Sequence, residues 1–154
     1  LRNELPRPVA RELTRARPLP GALDTEERDA LLADLGARFG ARQARRLWHV
    51  YGGFAAEVAK LAEAPELAAP VAAGRELLVA ELVYALEAEW AVTLADVLQR
   101  RTMAGLAADF GLGVAAAAAT TLVRLGAWDA PRAAEEVAAY RALAARQGAI
   151  GLKR

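Results

Sequence analysis

The sequence predicts an all-α fold: a single orthogonal bundle of about six or seven helices, preceded by a proline-rich linker. Its 154 residues are 55% hydrophobic, which is enough to build the core of one domain. Apolar residues recur at steps of three and four, the spacing of a helix face. Strand signals are weak, because no alternation of β-branched residues persists beyond a few positions. One helical domain is therefore expected.

The first segment, residues 1–21, is predicted to be a linker rich in proline and arginine. Four prolines interrupt it: Pro6, Pro8, Pro18 and Pro20. Each proline fixes its own φ, removes a hydrogen-bond donor and pushes the preceding residue toward extended backbone. We place a domain boundary near Gly21 and the helical domain at 22–154.

The first three helices are marked by their start and stop signals. Asp24 and Glu27 have the spacing of a capping box, and apolar residues follow at helical steps, so a helix is expected over about 25–37. A second is expected over 41–49, before the glycine pair at 52–53. A third should span 54–64 and end at Pro65, followed by a loop at 70–74.

The longest regular pattern predicts a core helix over about 76–101, or two helices that meet near 91–93. Its apolar residues are separated by three or four positions and would share one face: Val79, Val83, Leu86, Trp90, Leu94 and Val97.

The last third of the chain predicts two more helices. Glycines at 105, 111 and 113 interrupt the chain, and an alanine-rich run over 114–125 indicates a buried helix. Asp129 is a suitable N-cap with Pro131 in the first turn, so a last helix is expected to reach about Gln147.

A polar stripe beside the apolar one predicts a structural ion-pair network. If 89–100 is continuous helix, Glu89, Thr93, Asp96 and Arg100 share one face, and Arg101 and Glu81 would join them from neighbouring helices. The predicted network is Glu81, Glu89, Asp96, Arg100 and Arg101. An anion site is the alternative, because two guanidinium groups can grip a phosphate. Three nearby acids favour the structural interpretation.

The composition excludes several kinds of site. The chain has no cysteine, no serine and one histidine, His49, which excludes thiolate and serine nucleophiles and leaves no convincing transition-metal site. Neither a GxGxxG nor a GxxxxGK motif is present. Glu87 and Glu89 point in opposite directions on a helix, so they are not a paired acid and base. We expect no catalytic, cofactor-binding or metal-binding residue in this chain.

Charge and hydropathy give no support for nucleic acid or a membrane. The formal net charge is +1, and no apolar run approaches the roughly 20 residues that span a bilayer. Residues 106–126 loosely resemble a helix-turn-helix, which keeps a DNA-binding domain as an alternative. Its second helix, however, offers alanine, threonine and apolar residues where base-reading side chains are needed. No nucleic-acid partner is therefore expected.

Several blocks, taken together, resemble the carboxy-terminal helical domain of the FAD-dependent glycerol-3-phosphate dehydrogenase and glycerophosphate oxidase family. The central block is similar to the family's Glu-x-x-Tyr, Glu and Asp-x-Leu-x-Arg-Arg-Thr elements, in order. The matching residues are Thr14 to Gly21, Leu47 to Gly52, Glu81 to Tyr84, Glu89, Thr93 to Thr102, Leu125 to Trp128, Glu136 and Tyr140. Ala127 stands between the family's glycine and tryptophan.

The resemblance implies a parent enzyme that oxidises sn-glycerol 3-phosphate to dihydroxyacetone phosphate. Its FAD would take the hydride, and a quinone or oxygen would take the electrons. A chain that begins at Leu1 fits a piece cut from such an enzyme. The expected partner is the missing FAD domain, with a homodimer possible. The parent would be cytoplasmic, at most peripheral on the membrane, and this piece inactive. A helical docking or dimerisation module is the alternative function.

Overall fold

The computed structural model describes residues 17–151, with side chains through 148, and this part is all-α. Seven α-helices are present in it, which confirms the predicted class and number: α1 Thr25–Phe39, α2 Ala41–Tyr51, α3 Ala55–Leu61, α4 Pro65–Ala68, α5 Val79–Glu87, α6 Leu112–Arg124 and α7 Ala130–Gly151. A π-helical segment spans Asp96–Arg101. Across 17–151 the only β pairing is an isolated bridge between Pro70 and Leu78. Most of the predicted linker, 1–21, lies outside the described residues and stays a prediction.

The capping box predicted for the first helix is present. The Asp24 carboxylate accepts a hydrogen bond from the Glu27 amide at 2.9 Å, and the Glu27 carboxylate accepts one from the Asp24 amide at 3.0 Å. These two bonds satisfy donors that a helix start otherwise leaves free. Helix α1 ends at Phe39, and Gly40 caps it with a positive φ that a residue with a side chain would resist.

The predicted third helix is too long. Helix α3 ends at Leu61 and not at residue 64. Pro65 is the first residue of the next helix, α4. Proline suits that position because its missing donor would have no partner there and its φ is already helical.

The continuous helix over 76–101 is wrong, and the alternative of two helical segments is right. Helix α5 ends at Glu87, and the next helical turn starts at Leu94. Between them Trp90 adopts a φ of 56°, in the left-handed region that a right-handed helix cannot include. Trp90 therefore leaves the predicted apolar face, and its side chain is 84% exposed.

The core consists of two apolar clusters that share α5. Leu82 and Ala85 of α5 pack with the π-helical segment, α6 and α7 in one cluster. Ala80 and Tyr84 of the same helix pack with α1, α2 and α3 in the other. Helix α5 thus lies between the two halves of the domain.

Helices α6 and α7 complete the first cluster. Val114, Ala118 and Leu122 of α6 are buried, as predicted for the alanine-rich run. Asp129 caps α7 by accepting a hydrogen bond from the Arg132 amide at 2.8 Å, and the helix continues to Gly151, beyond the predicted end at 147. None of the described helices is both long and apolar enough to cross a bilayer.

Candidate functional site

Glu81 is the centre of a buried polar cluster between the two halves of the core. Its carboxylate is fully buried and accepts two hydrogen bonds from the guanidinium of Arg46, at 2.7 and 2.9 Å. The Tyr51 hydroxyl donates to it at 3.0 Å and the Leu78 amide at 2.8 Å. Four donors satisfy one carboxylate, which is what a buried charge requires.

Arg46 connects three elements. It lies on α2, bonds Glu81 on α5, and also donates to the main-chain oxygen of Thr102, at 3.4 Å, where the π-helical segment ends. Burial alone would lower the pKa of Arg46, but the hydrogen bonds and negative charge of Glu81 outweigh it and raise this pKa. Burial, followed by the charge of Glu81, raises the pKa of Tyr51. Arg46 is thus a cation and Tyr51 a neutral donor at physiological pH.

Asp96 starts the π-helical segment and pairs with Arg100. One carboxylate oxygen accepts hydrogen bonds from the amide and hydroxyl of Thr93, both at 2.9 Å, and the other accepts one from the Arg100 guanidinium. Burial opposes ionisation, but these bonds outweigh it and lower the pKa of Asp96 to about 2. This carboxylate is a helix cap, and its charge is already matched.

Glu89 and Arg101 lie close enough for their charges to interact, but they form no hydrogen bond with each other among the described residues. The Glu89 Oε2 and Arg101 Nε atoms are buried without a hydrogen-bond partner in that part of the chain. Burial raises the pKa of Glu89, while the charge of Arg101 opposes the rise. This pair is the least satisfied part of the charged region.

The structure therefore divides the five residues of the predicted network into three places. Asp96 pairs with Arg100, and Glu89 faces Arg101. Glu81 bonds to neither of these two arginines; its partners are Arg46 and Tyr51. The shared stripe fails because residues 88–93 are not helical. Arg46 was not among the residues predicted for this network. The signal in the sequence was its place two residues before Trp48 on a helix with one apolar face, where an arginine beside buried positions needs an acid.

A cleft of about 440 Å³ beside this cluster holds three arginines, but each is paired with an acid. Arg46 bonds Glu81, Arg42 pairs with Glu76, and Arg75 bonds Asp109 at 3.0 Å. An anion site needs positive charge that no neighbouring carboxylate has neutralised. The cleft does not provide it.

The start of α6 does not fit a dinucleotide phosphate. The amides of Gly111 and Gly113 point at the Asp109 carboxylate, at 3.0 and 3.1 Å, so the position where a phosphate would bind a helix start is taken by an acid. Burial opposes ionisation of Asp109, but these amides and Arg75 outweigh it and lower its pKa. The amides at the start of α6 are thus not free to bind a pyrophosphate.

The residues considered for metal binding and DNA binding occupy other surroundings. His49 is exposed, and within 17–148 no group of three acidic or histidine side chains is placed to hold a metal ion. Helix α6, the recognition helix of the DNA-binding alternative, is packed in the core, and its exposed positions are Leu112, Gly113, Ala116, Thr120 and Arg124.

These contacts define a class of protein: an all-α domain whose charged side chains cap helices and join elements. The sequence then identifies the family. Residues 12–133 match the family described as the C-terminal domain of alpha-glycerophosphate oxidase, and the chain belongs to this family. The resemblance inferred from the motifs is confirmed. No curated protein and no solved structure matches the chain.

Proposed function

We propose that this chain is the non-catalytic C-terminal domain of an FAD-dependent glycerol-3-phosphate dehydrogenase. The parent enzyme would oxidise sn-glycerol 3-phosphate to dihydroxyacetone phosphate, with the hydride passing to FAD and the electrons to quinone. Membership of the alpha-glycerophosphate oxidase family over residues 12–133 carries the proposal, because that family's domain belongs to an oxidase of the same substrate.

The pairing of the charged groups supports a role in stability. Glu81, Asp96 and Asp109 each accept several hydrogen bonds from main chain or arginine, so none is a free base beside a cleft. A general base must be within reach of a substrate proton and not already engaged. The domain would hold the parent together by packing on the FAD domain, and the flavin and substrate would bind there. The parent would be cytoplasmic, at most peripheral on the membrane.

Absorbance and turnover test this function. The isolated 154-residue chain should be helical by circular dichroism, show no flavin absorbance after incubation with FAD, and oxidise no sn-glycerol 3-phosphate. The same chain joined to its flavin domain should be yellow and active. Flavin binding or turnover by the isolated chain would refute the proposal.

A second candidate is a docking or dimerisation module, and the loop between α5 and the π-helical segment favours it. Trp90 and Val92 in this loop are 84% and 62% exposed. Hydrogen bonds hold the backbone after the strained Trp90: the Ala91 amide donates to the Ala85 carbonyl at 2.8 Å, and the Arg132 guanidinium donates to the Val92 carbonyl at 2.7 Å. An exposed aromatic side chain on a backbone held in this way is typical of protein interfaces. Light scattering over a concentration series tests self-association, and a Trp90→Ser variant should remain monomeric if this loop forms the dimer.

A further inference from the structure

A tight turn precedes the first helix. The Ala22 amide donates a hydrogen bond to the Leu19 carbonyl at 2.9 Å, and Gly21 has a φ of 76°. Proline in the second position and glycine with positive φ in the third are the arrangement of a type II turn, and Pro20 and Gly21 occupy these positions. Residues 19–22 therefore encode this turn locally.

The turn is bonded to the junction of α2 and α3. The Gly53 amide donates to the Gly21 carbonyl at 2.9 Å. Gly53 belongs to the single 3-10 turn, Gly52–Phe54, that joins the two helices. The Phe54 ring also lies against Gly21, so closely that a Cβ on Gly21 would be 2.8 Å from a ring carbon. A polar and an apolar contact thus meet at one glycine.

Gly53 has no room for a side chain. A Cβ at this position would lie 2.7 Å from the Gly21 carbonyl oxygen and 3.1 Å from the Leu23 side chain. Gly53 is not among the residues with positive φ, so its backbone conformation would accept alanine. The missing side chain serves the close approach of the turn and not the shape of the backbone.

This contact fixes a short segment, residues 19–23, which we call the strap. Asp24, which follows the strap, caps α1, and the Gly53 amide holds the strap itself. Gly53 directly follows the end of α2, where the Tyr51 hydroxyl donates to the buried Glu81 carboxylate at 3.0 Å. The strap is thus fastened to the end of the helix that supplies Tyr51 to the buried cluster.

We propose that Gly21, Gly53 and Phe54 form a clamp that anchors the polypeptide before the helical domain to the junction of α2 and α3. The strap is then part of the helical domain, and motion of the preceding chain acts on the end of α2 and not on the first turn of α1. In the parent enzyme the FAD domain is attached at this point, a step that rests on the proposed function. The clamp itself does not depend on that function.

NMR relaxation of the 154-residue chain tests the clamp. The amides of Gly21, Ala22 and Leu23 should have order parameters of about 0.85, the value of rigid backbone. In Gly53→Ala the new Cβ displaces the strap, so these order parameters should fall below about 0.6, the range of flexible backbone. The amide of residue 53 should then exchange with solvent roughly two- to tenfold faster, the effect of losing one hydrogen bond.

Gly36→Ala is the matched control, because it makes the same substitution on α1 with open space around the new Cβ. It should leave the order parameters of the strap and the exchange at Gly53 unchanged. Phe54→Ala removes only the apolar half of the clamp and should lower the order parameters by less than Gly53→Ala does.

The chain joined to its flavin domain tests the consequence for the parent. Gly53→Ala should increase the radius of gyration in small-angle X-ray scattering and leave the flavin absorbance unchanged. An unchanged scattering curve would overturn attachment of the preceding domain at the clamp. A joined wild-type protein without flavin would instead overturn the proposed function.

Two further results would overturn the clamp: low order parameters for the strap in the wild type, or equal order parameters in the wild type and Gly53→Ala. If Gly53→Ala does not fold, the wild type still decides. A nuclear Overhauser effect between the Phe54 ring protons and the Gly21 α protons is expected, and its absence would refute the contact.

Discussion

Replacing Glu81 with glutamine should destabilise the domain far more than its small change in volume suggests. The substitution keeps the shape of the side chain but leaves the Arg46 guanidinium without its counter-charge. Removing one partner of a buried ion pair costs about 3–5 kcal/mol, because the remaining charge is desolvated and unpaired. Arg46 keeps 18% exposure of its side chain, so we expect the lower end, about 3 kcal/mol.

That loss is measurable in a single domain. Domains of this size have a free energy of unfolding of about 5–15 kcal/mol, and 1 kcal/mol changes Tm by about 2–4 °C. Urea unfolding followed by circular dichroism should give an unchanged m value and a lower midpoint. Calorimetry should show a Tm lower by about 6–12 °C.

The control is Arg100→Gln, which breaks the Asp96–Arg100 pair with an arginine side chain that is 71% exposed. An exposed pair contributes about 0–1 kcal/mol. A Glu81→Gln variant whose free energy of unfolding falls by no more than that of Arg100→Gln would refute the reasoning about the buried cluster.

Three further predictions concern other parts of the domain. The pKa of Asp96 is lowered to about 2, so its charge stabilises the fold above pH 4, and this stability is lost as the pH falls toward 2. Asp96→Asn should therefore lower the free energy of unfolding by about 2 kcal/mol at pH 7. In this variant the urea midpoint should change less between pH 4 and pH 2 than it does in the wild type. Gly105→Ala should lower the free energy of unfolding by about 1–3 kcal/mol, because the new Cβ would lie 2.8 Å from the Tyr140 hydroxyl. Gly36→Ala is the control: it has open space around the new Cβ and should raise Tm slightly. Trp90→Gly should relieve the left-handed backbone and raise the free energy of unfolding by about 0.5–1 kcal/mol; a destabilised variant would show that the exposed ring is needed for the fold.

Local signals in the sequence predicted most of the helix boundaries. The Asp24 and Glu27 box and the Asp129 cap depend on residues three positions apart, so short-range spacing was sufficient to find them. Trp90 was predicted to be buried because its spacing continues the apolar face of α5. Nothing in that spacing indicates a residue with left-handed backbone. The hydrogen bonds between Thr93 and Asp96 start a new helical turn there, but a threonine and an aspartate three residues apart are only a weak signal in the sequence.

The charged site was harder to predict because its partners are distant in sequence. Asp96 and Arg100 are four residues apart, and the sequence placed them together. Glu81 and Arg46 are separated by 35 positions and come together only when α2 packs on α5. Glu81 was predicted to be part of a charge network, but Arg46 was not, because their pairing depends on helix packing that no local pattern encodes.

The position of Arg46 and Glu81 suggests why a buried ion pair is retained where apolar residues would pack equally well. Helix α5 contributes apolar residues to both core clusters, and smooth alanine- and leucine-rich faces allow more than one register between helices. A carboxylate that needs four donors accepts only the register in which α2 supplies Arg46 and Tyr51. On this argument Arg46→Met with Glu81→Leu should recover most of the lost free energy of unfolding, because no charge is left unpaired. The double variant should also show broader NMR lines and faster amide exchange at the junction of α2 and α5. Recovered stability with wild-type line widths would mean that the pair does not select the register.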